Sequence, residues 1–136
     1  MHRSISTETI ASIAGSYRML KFDDTLTVYL SLEFVDMRKS INGLSLCIAE
    51  DLACNPQDRA LYIFYNRSRN KVKCLYWDKN GFVLIYKRLE KGRFQFSKSL
   101  SGDVYELTHQ QLSWLLAGFD FVQMSGYPEF EFGSYA

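Results

Sequence analysis

The chain has 136 residues, of which 47% are hydrophobic and 15% aromatic. This is enough apolar side chain for one packed domain, and it excludes a generally disordered polypeptide. The net charge of +1 conceals an uneven distribution: residues 1–58 carry five Lys/Arg and eight Asp/Glu, residues 59–98 carry eleven and two, and residues 99–136 carry none and five. The middle block of +9 is typical of a surface that binds polyanions or acidic proteins.

Nothing in the sequence predicts a membrane-bound or secreted protein. No run approaches the roughly 18 consecutive apolar residues of a membrane helix, and the amino terminus lacks the apolar centre of a secretory signal. Cys47, Cys54 and Cys74 are scattered and odd in number, and His2 and His109 lie away from them. We therefore expect a cytoplasmic protein with reduced thiols, no disulfide framework and no zinc site.

The amino-terminal half predicts one strand and one helix after an extension at residues 1–22. "LTVYLSLEF" alternates apolar and polar residues, as a half-buried strand does, and its predicted inward residues are Leu26, Val28, Leu30, Leu32 and Phe34. From Asp36 onwards apolar residues fall at helical spacing, which predicts a helix at about 36–54. Asp36 is its expected N-cap, and Asn55-Pro56 its stop.

The remaining sequence predicts further strands and a second helix. Four strands of a meander are expected at about residues 60–67, 71–77, 82–89 and 93–96, and "DVYEL" adds a short further one. A helix at 109–117 begins with a capping box of Thr108 and Gln111 and ends at Gly118.

Together these elements predict a single α+β domain. Its mainly antiparallel meander sheet has about five to six strands and packs with the two main helices. We assign residues 23–121 to this domain, residues 1–22 to an amino-terminal extension and residues 122–136 to an acidic, aromatic tail.

The basic block forms a hairpin whose register follows from its turn. With the turn centred on Lys79-Asn80, paired residue numbers sum to 159, so one face carries the pairs Lys71–Arg88, Lys73–Tyr86, Leu75–Leu84 and Trp77–Phe82. A four-residue "LEKG" loop would place Arg93 beside Arg88, whereas a bulge at Gly92 would remove it. Like charges that face each other across a sheet repel, and a bound polyanion relieves that repulsion.

Two interpretations of these cations stay open at this point. In the first they contact phosphate, with Tyr86 and Trp77 as stacking surfaces for unpaired bases. In the second they are a solubilising face that protects strand edges. The candidate phosphate contacts are Arg38, Lys39, Lys71, Lys73, Lys87, Arg88 and Arg93. Arg38 and Lys39 are expected in the first turn of a helix, where backbone N–H groups also favour an anion.

The sequence shows no arrangement of residues that predicts catalysis. A metal-dependent nuclease needs carboxylates gathered around a cation, but Asp36 and Asp78 have cap and turn positions, and the adjacent Glu50 and Asp51 point in different directions. Gly-rich phosphate loops are absent. We therefore predict a binding protein and not an enzyme, with no catalytic residues, metal, cofactor or small-molecule substrate.

Three motifs resemble one known family. "VDMRKSINGL", "WDKNGFVLIYKRLEKGRF" and "LTHQQLSWLLAGFDF" stand in the order and spacing of the TnpB-type accessory protein, which is encoded by the second reading frame of IS66 insertion sequences. The resemblance covers about residues 24–121. The matching residues are Asp36, Met37, Arg38, Lys39, Gly43, Trp77, Asp78, Gly81, Tyr86, Lys87, Arg88, Leu89, Glu90 and Gly92. Ser40 and Lys79 stand where the family has glycine.

The resemblance implies an accessory role in transposition, in which a separate transposase carries out the chemistry. It also implies the partners: DNA at the element ends, the transposase and another element-encoded accessory protein. The rival to DNA binding is a protein-interaction module that docks one of those proteins without contacting DNA. A third possibility is a binder of single strands or of RNA that uses Tyr86 and Trp77.

Overall fold

The computed structural model describes residues 23–95 and 100–125. The predicted extension at 1–22 and most of the predicted tail lie outside these residues. In chain order the elements are β1 (Thr27–Ser31), α1 (Ile41–Glu50), β2 (Ala60–Tyr65), β3 (Lys71–Asp78), β4 (Gly81–Arg88), β5 (Val104–Leu107), α2 (His109–Leu116) and α3 (Phe121–Ser125).

The five strands form one open sheet in the order β4-β3-β2-β1-β5. Neighbours are antiparallel except for β1 and β2, which are parallel because the chain crosses over through α1 between them. This confirms the α+β class and the mainly antiparallel sheet with two main helices. The order strand, helix, strand at β1, α1 and β2 was the available signal for the parallel pair.

Helices cover both faces of the sheet. On one face Leu44 and Ile48 of α1 pack against Tyr62, Phe64 and Leu75. On the other face α2 and α3 contribute Leu112, Leu115 and Phe121, which pack with residues of β1, β2, β3 and β5. β2 is buried along almost its whole length, as expected for a central strand with both faces covered.

The predicted hairpin register is confirmed along β3 and β4. Lys71 pairs with Arg88, Lys73 with Tyr86, Leu75 with Leu84 and Trp77 with Phe82. The loop consists of Lys79 and Asn80, because Asp78 pairs with Gly81. Lys79 has a φ of 56°, in the left-handed region that favours glycine. The glycine that the family has here is therefore explained by the turn itself.

We expect Lys79→Gly to raise the free energy of unfolding by about 0.5–1 kcal/mol, because glycine removes the left-handed strain at some cost in chain entropy. Urea denaturation of the two proteins measures this. A lower midpoint would contradict the assignment of the turn.

Helix α1 begins later than predicted, at Ile41 rather than near Asp36. The Asp36 carboxylate accepts a hydrogen bond from the Arg38 backbone N–H (2.9 Å), and the Lys39 N–H donates to the Asp36 carbonyl (3.0 Å), so residues 36–39 form a turn. The N-cap is Ser40. The predicted N-cap at Asp36 is therefore wrong, and Arg38 and Lys39 lie in the turn before the helix.

The helix also ends before the predicted stop at Asn55-Pro56. Ala53 has a φ of 54°, and the Cys54 N–H donates to the Ile48 carbonyl at 3.0 Å. This hydrogen bond spans six residues, and together with the left-handed backbone of Ala53 it ends the helix. Inside the helix, a Cβ at Gly43 would lie 3.2 Å from the Cβ and Cγ of Lys39, so Gly43 leaves room for that side chain.

The sequence predicted a strand at 93–96. Residues 93–95 are not in a strand, and Phe96 lies outside the described residues. The Leu89 N–H donates to the Asn70 carbonyl (2.8 Å), and the Phe94 N–H donates to the Arg69 carbonyl (2.6 Å). The chain thus leaves β4 and folds back beside the turn between β2 and β3. Phe94 is fully buried under α2. The predicted row Lys71–Arg88–Arg93 is therefore corrected to the pair Lys71–Arg88.

Helix α2 confirms its sequence signals. The Thr108 hydroxyl accepts from the Gln111 N–H at 3.0 Å, and the Gln111 side chain accepts from the Thr108 N–H at 2.9 Å. Gly118 follows with a φ of 93°. The short helix α3 was not predicted; the Asp120 carboxylate accepts from the N–H groups of Val122 (3.1 Å) and Gln123 (3.2 Å), so an aspartate at an N-cap position was its sequence signal. It extends four residues into the segment interpreted as a tail.

The three cysteines are unpaired thiols. Cys74 is 1% exposed, and burial raises the pKa of its thiol to about 12. Burial also raises the pKa of Cys47. No helix in the described part of the chain has the length and apolarity to cross a membrane.

Candidate nucleic-acid interface

The structure sorts charge to the two ends of the sheet. At the end where β1, β2 and β4 stop and β3 begins, the chain gathers nine cations, which we call the basic end: Arg38, Lys39, Arg67, Arg69, Lys71, Lys73, Arg88, Lys91 and Arg93. Of the described residues, four carboxylates lie at this end, on Glu33, Asp36, Glu90 and Asp103. Within residues 23–95 and 100–125, the opposite end carries Asp23, Asp24, Glu50, Asp51, Asp58 and Asp78, with Arg59 and Lys79 as its cations.

The turn between β2 and β3 presents two cations that the sequence analysis did not single out. The Asn66 side-chain oxygen accepts from the N–H groups of Asn70 and Lys71, both at 3.0 Å, and its amide donates to the Asn70 side chain at 2.7 Å. Arg69 adopts a φ of 58° within this turn. Arg67 and Arg69 thus project from a firmly bonded backbone. The two flanking asparagines of "NRSRN" were the available signal, since asparagine favours such turns.

Lys73 holds the loop between β1 and α1 against the sheet. Its ammonium donates to the carbonyl oxygens of Met37 (2.8 Å) and Lys39 (2.7 Å), and lies 5.7 Å from the centre of the Tyr86 ring. Burial lowers the pKa of Lys73, while the Asp36 carboxylate acts in the opposite direction. This lysine therefore positions the backbone that carries Arg38 and Lys39.

We expect Lys73→Met to lower the free energy of unfolding by about 1.5–3 kcal/mol, because it deletes charged hydrogen bonds to two carbonyls while keeping a similar length of apolar chain. Urea denaturation measures the loss. Lys39→Met, which removes an exposed cation from the same loop, is the matched control and should change stability by less than about 0.5 kcal/mol. Equal effects of the two substitutions would contradict the role given to Lys73.

Two of the cations that were predicted to bind phosphate form ion pairs with carboxylates close to them in sequence. Arg38 makes a bidentate pair with Asp36, with the shortest distance 2.6 Å, and Arg88 donates to Glu90 at 2.8 Å. The hydrogen bonds from Arg38 lower the pKa of Asp36 to about 2. Both pairs are exposed to solvent, where such interactions are weak. A phosphate can therefore replace the carboxylate at little cost.

Lys87 lies on the opposite face of the sheet from Lys71 and Arg88. It pairs with Val72, and its ammonium donates to the Leu116 carbonyl at 2.8 Å. A cation at the last turn of a helix satisfies an end carbonyl and matches the helix dipole. Lys87 thus fastens α2 to β4 and lies apart from the predicted row.

The two aromatic residues predicted to stack on bases have different surroundings. Tyr86 faces Lys73, as described above. Trp77 meets Phe82 edge-on with ring centres 5.0 Å apart. It lies six residues along β3 from Lys71, which is about 20 Å. The structure therefore does not bring Trp77 to the basic end.

A different aromatic residue lies at the basic end. Phe34 is 53% exposed, and the Arg67 guanidinium carbon lies 5.3 Å from the centre of its ring. The alternating pattern had predicted Phe34 as buried. Strand β1 stops at Ser31, however, where the Ser31 hydroxyl donates to the Glu33 carbonyl at 3.0 Å, and the alternation ends there.

The described residues hold no cluster of three or more His, Cys, Asp or Glu side chains that would suit a metal ion. His109 has its Nε2 2.7 Å from the Leu26 carbonyl oxygen. That contact joins α2 to the start of β1 and gives the imidazole a structural partner.

The fold and this surface define a small α+β domain whose charge is divided between the two ends of its sheet. The sequence model of the family described as IS66 Orf2 like protein matches residues 26–126. The chain therefore belongs to the IS66 Orf2-like family, which is associated with insertion sequences.

Two curated relatives come from Sinorhizobium fredii (strain NBRC 101917 / NGR234). The chain is 35% identical to uncharacterized protein y4hO over 102 residues, which cover 75% of this chain and 88% of the relative. It is 28% identical to uncharacterized protein y4jC over 103 residues, which cover 76% of this chain and 87% of that relative. No solved structure matches the chain.

Proposed function

We propose that this protein is a non-catalytic accessory factor for transposition of an IS66-type insertion sequence, and that it binds the DNA of the element through the basic end. The family supports the process. The observation that carries DNA binding is the gathering of nine cations of the described residues at one end of the sheet by three separate chain segments, 38–39, 67–73 and 88–93. The proposal places the protein in the cytoplasm with the element DNA.

The proposed contacts are mainly to phosphate. Arg67, Arg69 and Lys71 form the centre of the surface, because they come from the turn bonded by Asn66 and from the strand that follows it. Arg38, Lys39, Arg88, Lys91 and Arg93 extend it on either side. Long cationic side chains that contact the backbone carry little sequence information, so we expect weak sequence preference.

The test is the salt dependence of binding to duplex DNA from the element ends. Each phosphate contact adds about −0.9 to the slope of log K against log salt, and five to eight contacts should give a slope of roughly −4 to −7. Random duplex of the same length should bind with a similar slope. A protein that retains no DNA at low salt, yet co-purifies with the transposase, would overturn the proposal.

That last outcome would favour the second candidate, a protein-interaction module. The observation that favours it is the position of β4 at the edge of the sheet that the described residues form. Its first five residues, "GFVLI" (81–85), are apolar and only partly buried. An edge of this kind accepts an added strand from a partner protein. The transposase or another element-encoded accessory protein would be that partner.

A further inference from the structure

Phe34 differs from the other exposed large apolar residues in its position. The described residues have three of them, Phe34 (53% exposed), Leu46 (56%) and Phe119 (52%). Leu46 lies on the outer side of α1, and Phe119 follows the end of α2 that Lys87 contacts, on the other face of the sheet. Phe34 lies on the segment between β1 and α1 at the basic end, and an arginine lies over its ring.

The backbone on both sides of this ring is well anchored. The Val35 N–H donates to the Tyr65 carbonyl at 2.9 Å, and the Tyr65 hydroxyl donates to the Leu32 carbonyl at 2.8 Å. These bonds tie the segment carrying Phe34 to the end of β2. Arg67 follows two residues after Tyr65 in the bonded turn. The ring and the guanidinium are thus presented by backbone already fixed before any ligand binds.

The chemistry of this pair suits a nucleobase next to a phosphate. An exposed aromatic ring offers a stacking surface to any base. A guanidinium that lies over a ring keeps its planar set of N–H donors available for a phosphate oxygen. Glu33 and Asp36 flank Phe34 in sequence, so a phosphate would lie on the Arg67 side. A base within a duplex has both faces covered by its neighbours and cannot stack on the ring.

We infer that Phe34 and Arg67 form a stacking site for an unpaired base, next to the basic end that binds the sugar–phosphate backbone of the same DNA strand. The preferred ligand of the protein is then single-stranded or locally unpaired DNA rather than intact duplex. This inference rests on the proposed function and specifies its substrate. Tyr86 and Trp77, the stacking residues predicted from sequence, are not part of the site.

The test compares Phe34→Ala with the unchanged protein on two probes. One is a labelled single-stranded oligonucleotide without self-complementarity, and the other is the same strand annealed to its complement. We expect the unchanged protein to bind the single strand more tightly. Phe34→Ala should weaken single-strand binding by about 5- to 100-fold, the range of one base-stacking contact, and change duplex binding by less than about twofold. Phe34→Trp should restore single-strand binding.

Leu46→Ala is the matched control, since it removes a similarly exposed apolar side chain from α1, a helix that contains no Lys or Arg, and should leave both affinities unchanged. Because Phe34 is half-exposed, its variants should keep the fold, which urea denaturation verifies, and Phe34→Leu replaces the alanine variant if that one unfolds. An equal loss on both probes, or no loss on either, overturns the stacking site and leaves DNA binding intact. Failure of the unchanged protein to hold either probe at low salt overturns the proposed function as well.

Discussion

A protein carrying Arg67→Ala, Arg69→Asn and Lys71→Ala together is expected to bind duplex DNA about 10²–10³-fold more weakly at ~0.1 M salt. At that salt concentration each lost phosphate contact removes about 0.9 log units, which is roughly eightfold. The slope of log K against log salt should become shallower by about 2.7. Fluorescence anisotropy or mobility shift over a salt series measures both quantities.

The substitutions are chosen to spare the fold. Asparagine tolerates the left-handed φ at position 69. Asn66 bonds to the backbone N–H of Lys71 and not to its side chain, so those bonds persist. Lys71→Ala also removes the repulsion between the positive charges of Lys71 and Arg88, which face each other across β3 and β4. Lys79→Gly removes one cation from the opposite end and should leave the slope unchanged. Equal slopes for the triple variant and the unchanged protein would contradict the basic end as the DNA surface.

The largest expected loss of stability comes from Phe94→Ala, at about 3–5 kcal/mol. Phe94 has no exposed surface and packs in the cluster that joins the sheet to α2 and α3. Truncation would leave a cavity at the point where the chain after β4 folds back, beside the 2.6 Å hydrogen bond to the Arg69 carbonyl. Chemical denaturation followed by circular dichroism measures the change.

Phe119→Ala is the control for this prediction, because that ring is 52% exposed and its removal should cost less than about 0.5 kcal/mol. Phe94→Leu, which keeps most of the volume, should cost about 1.5 kcal/mol or less and keeps the measurement possible if the alanine variant does not fold. A small effect of both Phe94 substitutions would show that the segment after β4 does not pack as described.

The features predicted correctly from sequence are local ones. A two-residue turn determines which residues pair along β3 and β4, so the partners of Lys71 and Lys73 followed from the position of Lys79 and Asn80. The capping box of α2 likewise depends on residues three apart. In both cases the interacting groups are close in sequence, and a short pattern contains all the information.

The candidate site was predicted less completely because its parts come from distant segments. The sequence indicated the excess of cations in the middle block, and Lys71 and Arg88 are neighbours as expected. It did not show that Lys73 donates to carbonyls 34 and 36 residues away, or that Lys87 reaches α2. It also did not show that Phe34 would meet Arg67. Such contacts depend on where separate elements pack.

The sequence by itself determined the α+β class, the hairpin register, the start of α2 and the family, because periodicity, turns, caps and motif spacing are all short-range properties. Only the tertiary structure decided the parallel pairing of β1 with β2 and the covering of both sheet faces. It also decided the division of charge between the two ends. The physical reason is that each of these depends on burying apolar faces of segments distant in sequence, and the path that achieves this burial also determines which cations become neighbours.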